Sequence, residues 1–406
     1  MSAPARMKLS DGSAPVPSPT DASLPLDAQL TALRRTLHRH PEVGFEEHAT
    51  AALVEEALRA LGLPPRRVAG TGVVVDIEGS APGPLRAYRA DLDALPIQDA
   101  KTDVPYASAV PGVAHLCGHD AHTAIGLGVA RLVYERRDAL AGTVRVFFQP
   151  NEEGTPSGAP KMIEAGVLDG VQAVFGVHVD PTLRVGEYGL ITGPVTASFD
   201  QVDLLVRGPA TIHSARPHLA VDTVWLATGL LQHLYTLAGR ITDARFPAVL
   251  AITQLHAGGA AYNVIPNEVR IGGTLRCLDA AVRARMQATI RAAADAFTAF
   301  YGATAEVTFL DGAPTLINDA ALVEHVAATA VQLFGEGSLA FYSVPSMGAE
   351  DFAHYTERVP GAFVRVGTQS SSRTAHPIHD ALFDLDEAAL APSARLMAEV
   401  LLSYGG

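Results

Sequence analysis

The sequence predicts an α/β protein in two parts: a mostly parallel sheet covered by helices, and an inserted ferredoxin-like α+β module. Three observations carry that expectation. At 406 residues the chain is too long for one ordinary hydrophobic core. From Asp27 to about residue 177, and again after 310, helical and extended patterns alternate, the rhythm of helices layered on a parallel sheet. Between those stretches the pattern reads β-α-β-β-α-β, the split arrangement of a ferredoxin-like module.

In chain order, residues 27–39 and 47–62 read as helices, the second closed by Gly62-Leu63-Pro64. Residues 71–77 and 85–89 read as strands, 121–136 as a helix, and the apolar runs 143–148 and 171–177 as strands. The inserted module takes strand 199–207, helix 220–237, strands 249–256 and 267–277, helix 280–300 and strand 304–310. Helix 320–334, strand 362–367 and a closing helix 387–403 return to the first pattern. The expected division is a flexible tail over 1–24, a main domain over 25–196 and 311–406, and the insert over 197–310.

Hydrophobic residues make up 48% and charged residues 18%, a globular balance. A formal charge of −13, with no Lys/Arg cluster, argues against a nucleic-acid partner. The two cysteines, Cys117 and Cys277, imply no disulfide framework and fit a reducing compartment. The Ser/Pro-rich start lacks the apolar core of a signal peptide, and no run approaches the roughly 20 apolar residues that span a bilayer. A cytoplasmic protein without membrane contact is the expectation.

Chemistry gathers in three segments: His115-Leu116-Cys117-Gly118-His119-Asp120-Ala121-His122, Asn151-Glu152-Glu153-Gly154 and Gly176-Val177-His178. A thiol, imidazoles and carboxylates are the donors that zinc-class ions prefer. Cys117 and His119 stand two apart, so a tight turn or a strand can aim both at one point. Alone, such a pair is more often a buried cysteine beside a surface histidine. Asp120 shifts that balance, since it is placed to accept a proton from a ligand imidazole and fix its tautomer. His115 and His122 read equally as ligands or as neighbours.

Glu152 and Glu153 would be a solvated turn in most chains. Here they close an apolar strand, where one acid can hold a metal and its neighbour move a proton. Asp91 and Asp93, which alone read as readily as turn acids, also follow a predicted strand, as does His178. In α/β sheets ligands collect beyond the carboxyl ends of the strands. A late stretch, His376-Pro377-Ile378-His379-Asp380, offers a further ligand, and Glu350-Asp351 forms an acidic turn with no assigned role. The Gly126-Leu127-Gly128 pair lacks the third glycine of a dinucleotide site, and no Gly-x-Ser-x-Gly elbow occurs.

Taken together the segments resemble the two-zinc aminoacylase/carboxypeptidase family of metallopeptidases, in the branch with bacterial hippurate hydrolases and plant auxin-conjugate amidohydrolases. The resemblance runs from about Leu30 to the C-terminus. It includes Leu37-His38-Arg39-His40-Pro41-Glu42, Arg89-Ala90-Asp91-Leu92-Asp93-Ala94-Leu95-Pro96, the His115–His122 block, Asn263-Val264-Ile265-Pro266 and Gly273-Thr274-Leu275-Arg276. It implies a catalytic domain of zinc-peptidase-like architecture plus a lid that dimerises.

By the resemblance, Cys117, His119, Glu153 and His178 match metal ligands, with Cys117 bridging two divalent ions. Those ions would be zinc, with manganese or cobalt as alternatives. His379, four residues before Phe383, matches the last ligand, with His376 its rival. Glu152 matches the general base, and Asp91 and Asp93 would stand behind the ligands. His213 matches a histidine offered to the oxyanion, often by the partner subunit. The family usually places Gly-x-Gly-Gly-His there, whereas this chain reads Gly208-Pro209-Ala210-Thr211-Ile212-His213. Asn263 and Arg276 match positions that meet substrate, the arginine through a carboxylate. The implied reaction is hydrolysis of an amide in a small N-acyl amino acid or conjugate. The alternatives are a dipeptidase or carboxypeptidase on the same site, or a metal-binding relative that has lost catalysis.

Overall fold

The computed structural model describes residues 20–405. The tail expected over 1–24 falls mostly outside them; at its end Thr20 is buried and its hydroxyl donates to Glu56. Helix Leu26–Arg39 buries Leu26, Leu30, Leu33 and Leu37, spaced three and four apart so that one stripe faces inward. That stripe meets helix His119–Glu135, which is buried along almost its whole length. The Gly126 and Gly128 pair belongs to this packing. A Cβ on Gly126 would stand 2.9 Å from the Phe148 ring, and one on Gly128 2.9 Å from Leu30 and Ala394. The helix lies between sheet and neighbouring helices at a separation only glycine permits.

Among the described residues the main sheet has eight strands. Its centre is the row Ala141–Gln149, Ala81–Asp91, Val171–Arg184 and Gly361–Gln369, all parallel. Strands Gly72–Glu78 and Arg66–Val68 extend one side antiparallel, while Tyr188–Leu190 and Leu339–Phe341 extend the other. The sheet is therefore mixed, with its parallel part in the middle, where strands buried on both faces read as apolar runs. Strand Val171–Arg184 runs seven residues past the expected end, because its far half keeps its pairing with Gly361–Gln369. His178 thus lies within the strand, not after it. The short outer strands are absent from the sequence pattern, since three residues at an edge carry no period of their own.

A second sheet takes its strands in the order Ala248–Ala257, Glu268–Cys277, Ser198–Arg207 and Thr304–Ala313, all antiparallel. With helices Thr223–Ile241 and Ala280–Phe300 this is the split β-α-β-β-α-β order. Asp222 and Asp279 cap the two helices by accepting from backbone N–H groups in their first turns. Val202, Leu204 and Val206 alternate inward along one strand and meet Leu226, Leu230 and Ile290 in a core of their own. A small antiparallel ribbon, Gly193–Thr196 with Leu316–Asn318, lies where the chain leaves the main sheet and returns to it. Among the described residues no helix is long and apolar enough to cross a membrane.

Candidate metal centre

The parallel strands of the main sheet all deliver their carboxyl ends to one edge, and the site is built there. Strand Ala81–Asp91 ends on Asp91, with Asp93 two residues on. Strand Ala141–Gln149 leads to Asn151, whose left-handed backbone (φ 51°) turns the chain so that Glu152 and Glu153 face inward. Gly118, with φ 92°, makes the turn into helix His119–Glu135. A Cβ at Gly118 would stand 2.3 Å from Val179, so the turn that aims Cys117 and His119 together requires glycine.

His119 and His178 are each held through Nδ1. His119 Nδ1 lies 2.9 Å from the Asp93 carbonyl oxygen and 3.2 Å from the Asp93 carboxylate. Its Nε2 is buried with no hydrogen-bond partner among the described residues, 3.8 Å from Asp91 and 3.9 Å from Glu152. His178 Nδ1 donates to the Val179 carbonyl at 2.8 Å, which leaves Nε2 3.4 Å from the Cys117 sulfur. A carbonyl or carboxylate on one ring nitrogen fixes the tautomer that frees the other for a metal.

His122 is different, because both of its nitrogens are taken. Nε2 accepts from the Val179 N–H at 2.9 Å, so Nδ1 carries the proton donated to Asp91 at 2.8 Å. It is a brace for the site. His115 is buried with neither nitrogen bonded among the described residues, and burial lowers its pKa to about 4, so the ring is neutral.

Two groups of three donors share Cys117: Cys117, His119 and His178, and Cys117, Glu153 and His379. Within each group the donor atoms lie within 4.8 Å of one another. His379 reaches the cluster, its Nε2 3.2 Å from Glu153, while its own N–H donates to the Leu116 carbonyl. His376 is in neither group and stands 3.9 Å from Asp380. Asp93 braces two donors together: besides His119 it accepts from the Glu153 N–H at 3.0 Å.

The charge here is one-sided. Asp91, Glu350 and Asp351 all contact the buried guanidinium of Arg89, at 2.6, 3.1 and 2.8 Å. Glu152 adds a fourth carboxylate, accepting from the Asp351 N–H at 3.4 Å. Burial, with Glu350, Glu153 and Asp351 close by, pushes Glu152 well above the usual carboxylate range. Burial would raise Asp91 too, but His119, His122 and Arg89 hold it well below. Burial and Glu153 also push the Cys117 thiol up, against the pull of His119. Arg89 is the arginine that pairs with these acids, and among the described residues His119 Nε2 is buried without a hydrogen bond while Glu153 Oε1 has only the ring of His379 beside it. Such a donor set fits divalent cations, which would neutralise the acids and use the free nitrogen of His119.

A cavity of about 340 Å³ opens over the cluster, lined by Cys117, Glu152, Glu153, His178 and His379 on one side. Phe199 and Arg276 reach it from the second sheet. Arg276 donates to the Met347 carbonyl at 2.9 Å, with its guanidinium 4.8 Å above the Phe199 ring.

Three expected residues lie elsewhere. His213 and Asn263 sit on the exposed ribbon that pairs Ile212–His213 with Val264–Ile265, and neither lines this cavity. His213 Nδ1 accepts from the Ala215 N–H, and the Asn263 carbonyl accepts from the Ser214 N–H. Asp120, expected behind a ligand imidazole, turns away from the cluster. Arg34 at 2.8 Å and His38 at 2.7 Å hold it in a separate buried network that includes Asp384.

Sequence reasoning missed Arg89 and left Glu350 and Asp351 without a role. A signal for Arg89 existed: it stands two residues before Asp91 on an apolar strand, so both side chains leave the same face.

The family model for peptidase family M20/M25/M40 matches residues 87–403. N-acetylcysteine deacetylase of Bacillus subtilis is 38% identical over 377 residues, 92% of this chain and 96% of that one. Thermostable carboxypeptidase 1 of Saccharolobus solfataricus is 35% identical over 379 residues, 92% of this chain and 94% of that one. Among solved structures, the YXEP protein of Bacillus subtilis, described as a dinuclear metal binding peptidase from the M20 family, superposes with a TM-score of 0.81. It is 36% identical, and the match covers 93% of this chain and 98% of that one.

Proposed function

The chain belongs to peptidase family M20/M25/M40 and is a metal-dependent amidohydrolase; from that premise we propose that it cleaves N-acyl amino acids or amino-acid conjugates at a dinuclear centre. The observation that carries this reading is the pair of three-donor groups sharing Cys117, with Glu152 beside the free nitrogen of His119. Cys117, His119, Glu153, His178 and His379 would hold two ions. Thiolate and imidazole donors favour zinc, with manganese or cobalt as alternatives. Ions bound there supply a Lewis acid for the scissile carbonyl and make water a nucleophile at neutral pH.

The remaining work falls to side chains. Glu152 takes a proton from the attacking water and passes it to the leaving amine, a role suited to an acid whose pKa burial has raised. Asp93 keeps His119 and Glu153 in place. Arg276, at the rim of the cavity, binds the carboxylate of the amino-acid part. His213 stabilises the oxyanion, and Asn263 orients the substrate beside it. Neither residue lines the cavity of its own chain, which supports a role for both across a homodimer. The lid over 197–310 offers a surface for that contact: Trp225, Tyr235, Val249 and Leu255 are exposed on its first helix and its edge strand. A reducing, cytoplasmic setting keeps Cys117 a thiol.

A second reading, a carboxypeptidase or dipeptidase on the same site, draws support from the likeness to the Saccharolobus carboxypeptidase. A panel of acetyl, benzoyl and long-chain acyl amino acids beside dipeptides separates the two. Turnover confined to the acylated compounds upholds the first reading, and turnover confined to dipeptides replaces it with the second.

A further inference from the structure

We propose that Arg365 is a second anion anchor of this site, selecting amides that carry an extra carboxylate on the part of the substrate lying in a side cavity beside the metal cluster. The inference rests on the amidohydrolase reading above. Strand Gly361–Gln369 runs parallel to Val171–Arg184, and Arg365 pairs with His178 across them. Cross-strand partners project from the same face of a sheet, so the guanidinium stem starts beside a candidate ligand. Arg365 and His178 both line the cavity over the cluster.

A second cavity of about 360 Å³ adjoins the first. The two share Arg365, Ser346 and Ile378. Its walls are mostly apolar, with Tyr342, Val344 and Phe363 prominent. This volume lies in the range of small-molecule sites. Arg365 stands at the junction, its guanidinium carbon 5.9 Å from the Phe363 ring. Among the described residues none accepts a hydrogen bond from it or pairs with it as an ion. The acid of the side cavity, Asp180, is already engaged by Thr182 and by the Tyr342 hydroxyl at 2.8 Å.

The contrast with Arg276 is informative. That guanidinium spends a donor on the Met347 carbonyl, whereas Arg365 keeps its whole planar fork for something else. Leaving such donors unused in a partly buried place has a desolvation cost that a bound carboxylate offsets. The apolar walls add a second condition, namely that carbon atoms connect this carboxylate to the scissile amide. Two sources satisfy both conditions: an acyl chain ending in a carboxylate, or an acidic side chain on the amino acid.

The test compares N-glutaryl-leucine, N-acetyl-glutamate and N-acetyl-leucine on the metal-loaded enzyme and on its Arg365→Leu and Arg365→Lys variants. Wild type should favour one of the two acidic compounds over N-acetyl-leucine by about tenfold to a hundredfold in kcat/KM, the range of a charge-assisted hydrogen bond. Whichever compound is favoured identifies the source. Arg365→Leu should bring that ratio close to one, mainly through KM, and Arg365→Lys should restore part of it. Equal handling of all three compounds by wild type, or a loss in Arg365→Leu that leaves the ratio intact, overturns the anchor.

Calorimetric binding of the same compounds reads the contact without turnover. If none of the three is hydrolysed, the amidohydrolase reading fails for these substrates, and binding alone decides on Arg365. Tighter binding of an acidic compound that Arg365→Leu abolishes upholds the anchor, and equal binding of all three rejects it.

Discussion

The two halves of the molecule solve opposite problems. At the edge of the main sheet the donors are buried and braced: Asp93 holds His119 and Glu153, Asp91 holds His122, and Arg89 gathers three acids. In the inserted part the residues assigned to substrate are mostly exposed, and His213 and Asn263, on its small ribbon, line no part of the metal cavity. Charge explains the difference. A cation site must keep like charges together, which takes a rigid frame and burial. Groups that meet the substrate must let it in and out, so they belong on a part that can move or on a second copy.

The largest effect should come from the rigid half. Glu152→Gln keeps the shape of the side chain and removes its basicity, so turnover should fall by about 10²–10⁴-fold. Metal content, read by mass spectrometry, should stay near that of the parent. Loss of metal would instead exchange the roles of Glu152 and Glu153.

The exposed half comes next. His213→Ala should lower kcat by about 10²–10³-fold, the cost of one missing oxyanion donor. Co-expressing it with Glu152→Gln tests where the imidazole acts. If His213 serves the neighbouring subunit, mixed dimers contain one intact site and regain activity that neither variant shows alone. No recovery in isolated mixed dimers would return His213 to its own chain and erase the contrast between the halves.

A smaller effect should separate bracing from ligation. Asp93→Asn removes the charge behind His119 and weakens the contact to the Glu153 N–H. Metal affinity, measured by competition with a chelator, should drop about 10–100-fold. An unchanged affinity would mean that the frame does not depend on this brace.

What could be read from the sequence divides along similar lines. Cys117-Gly118-His119 was legible because its geometry is local: one left-handed glycine aims two neighbours. The long helices and the inserted module were legible from periodicity, since each buries one stripe or face. Asp120 was misread because its partners, Arg34 and His38, lie more than 80 residues away. The pairing of Arg89 with Glu350 and Asp351 joins residues more than 260 apart, and no spacing rule reaches that far. The strand through His178 outran its apolar run because pairing with Gly361–Gln369 continued past it.

Metal stoichiometry tests the shared-cysteine centre most directly. Mass spectrometry on the purified protein should find about two ions per chain. Amide hydrolysis should be lost on chelation and restored by zinc or manganese, and Cys117→Ser should lose metal occupancy under the same conditions. A protein that holds no metal and gains no activity from any, or a Cys117→Ser variant with full occupancy, would contradict it.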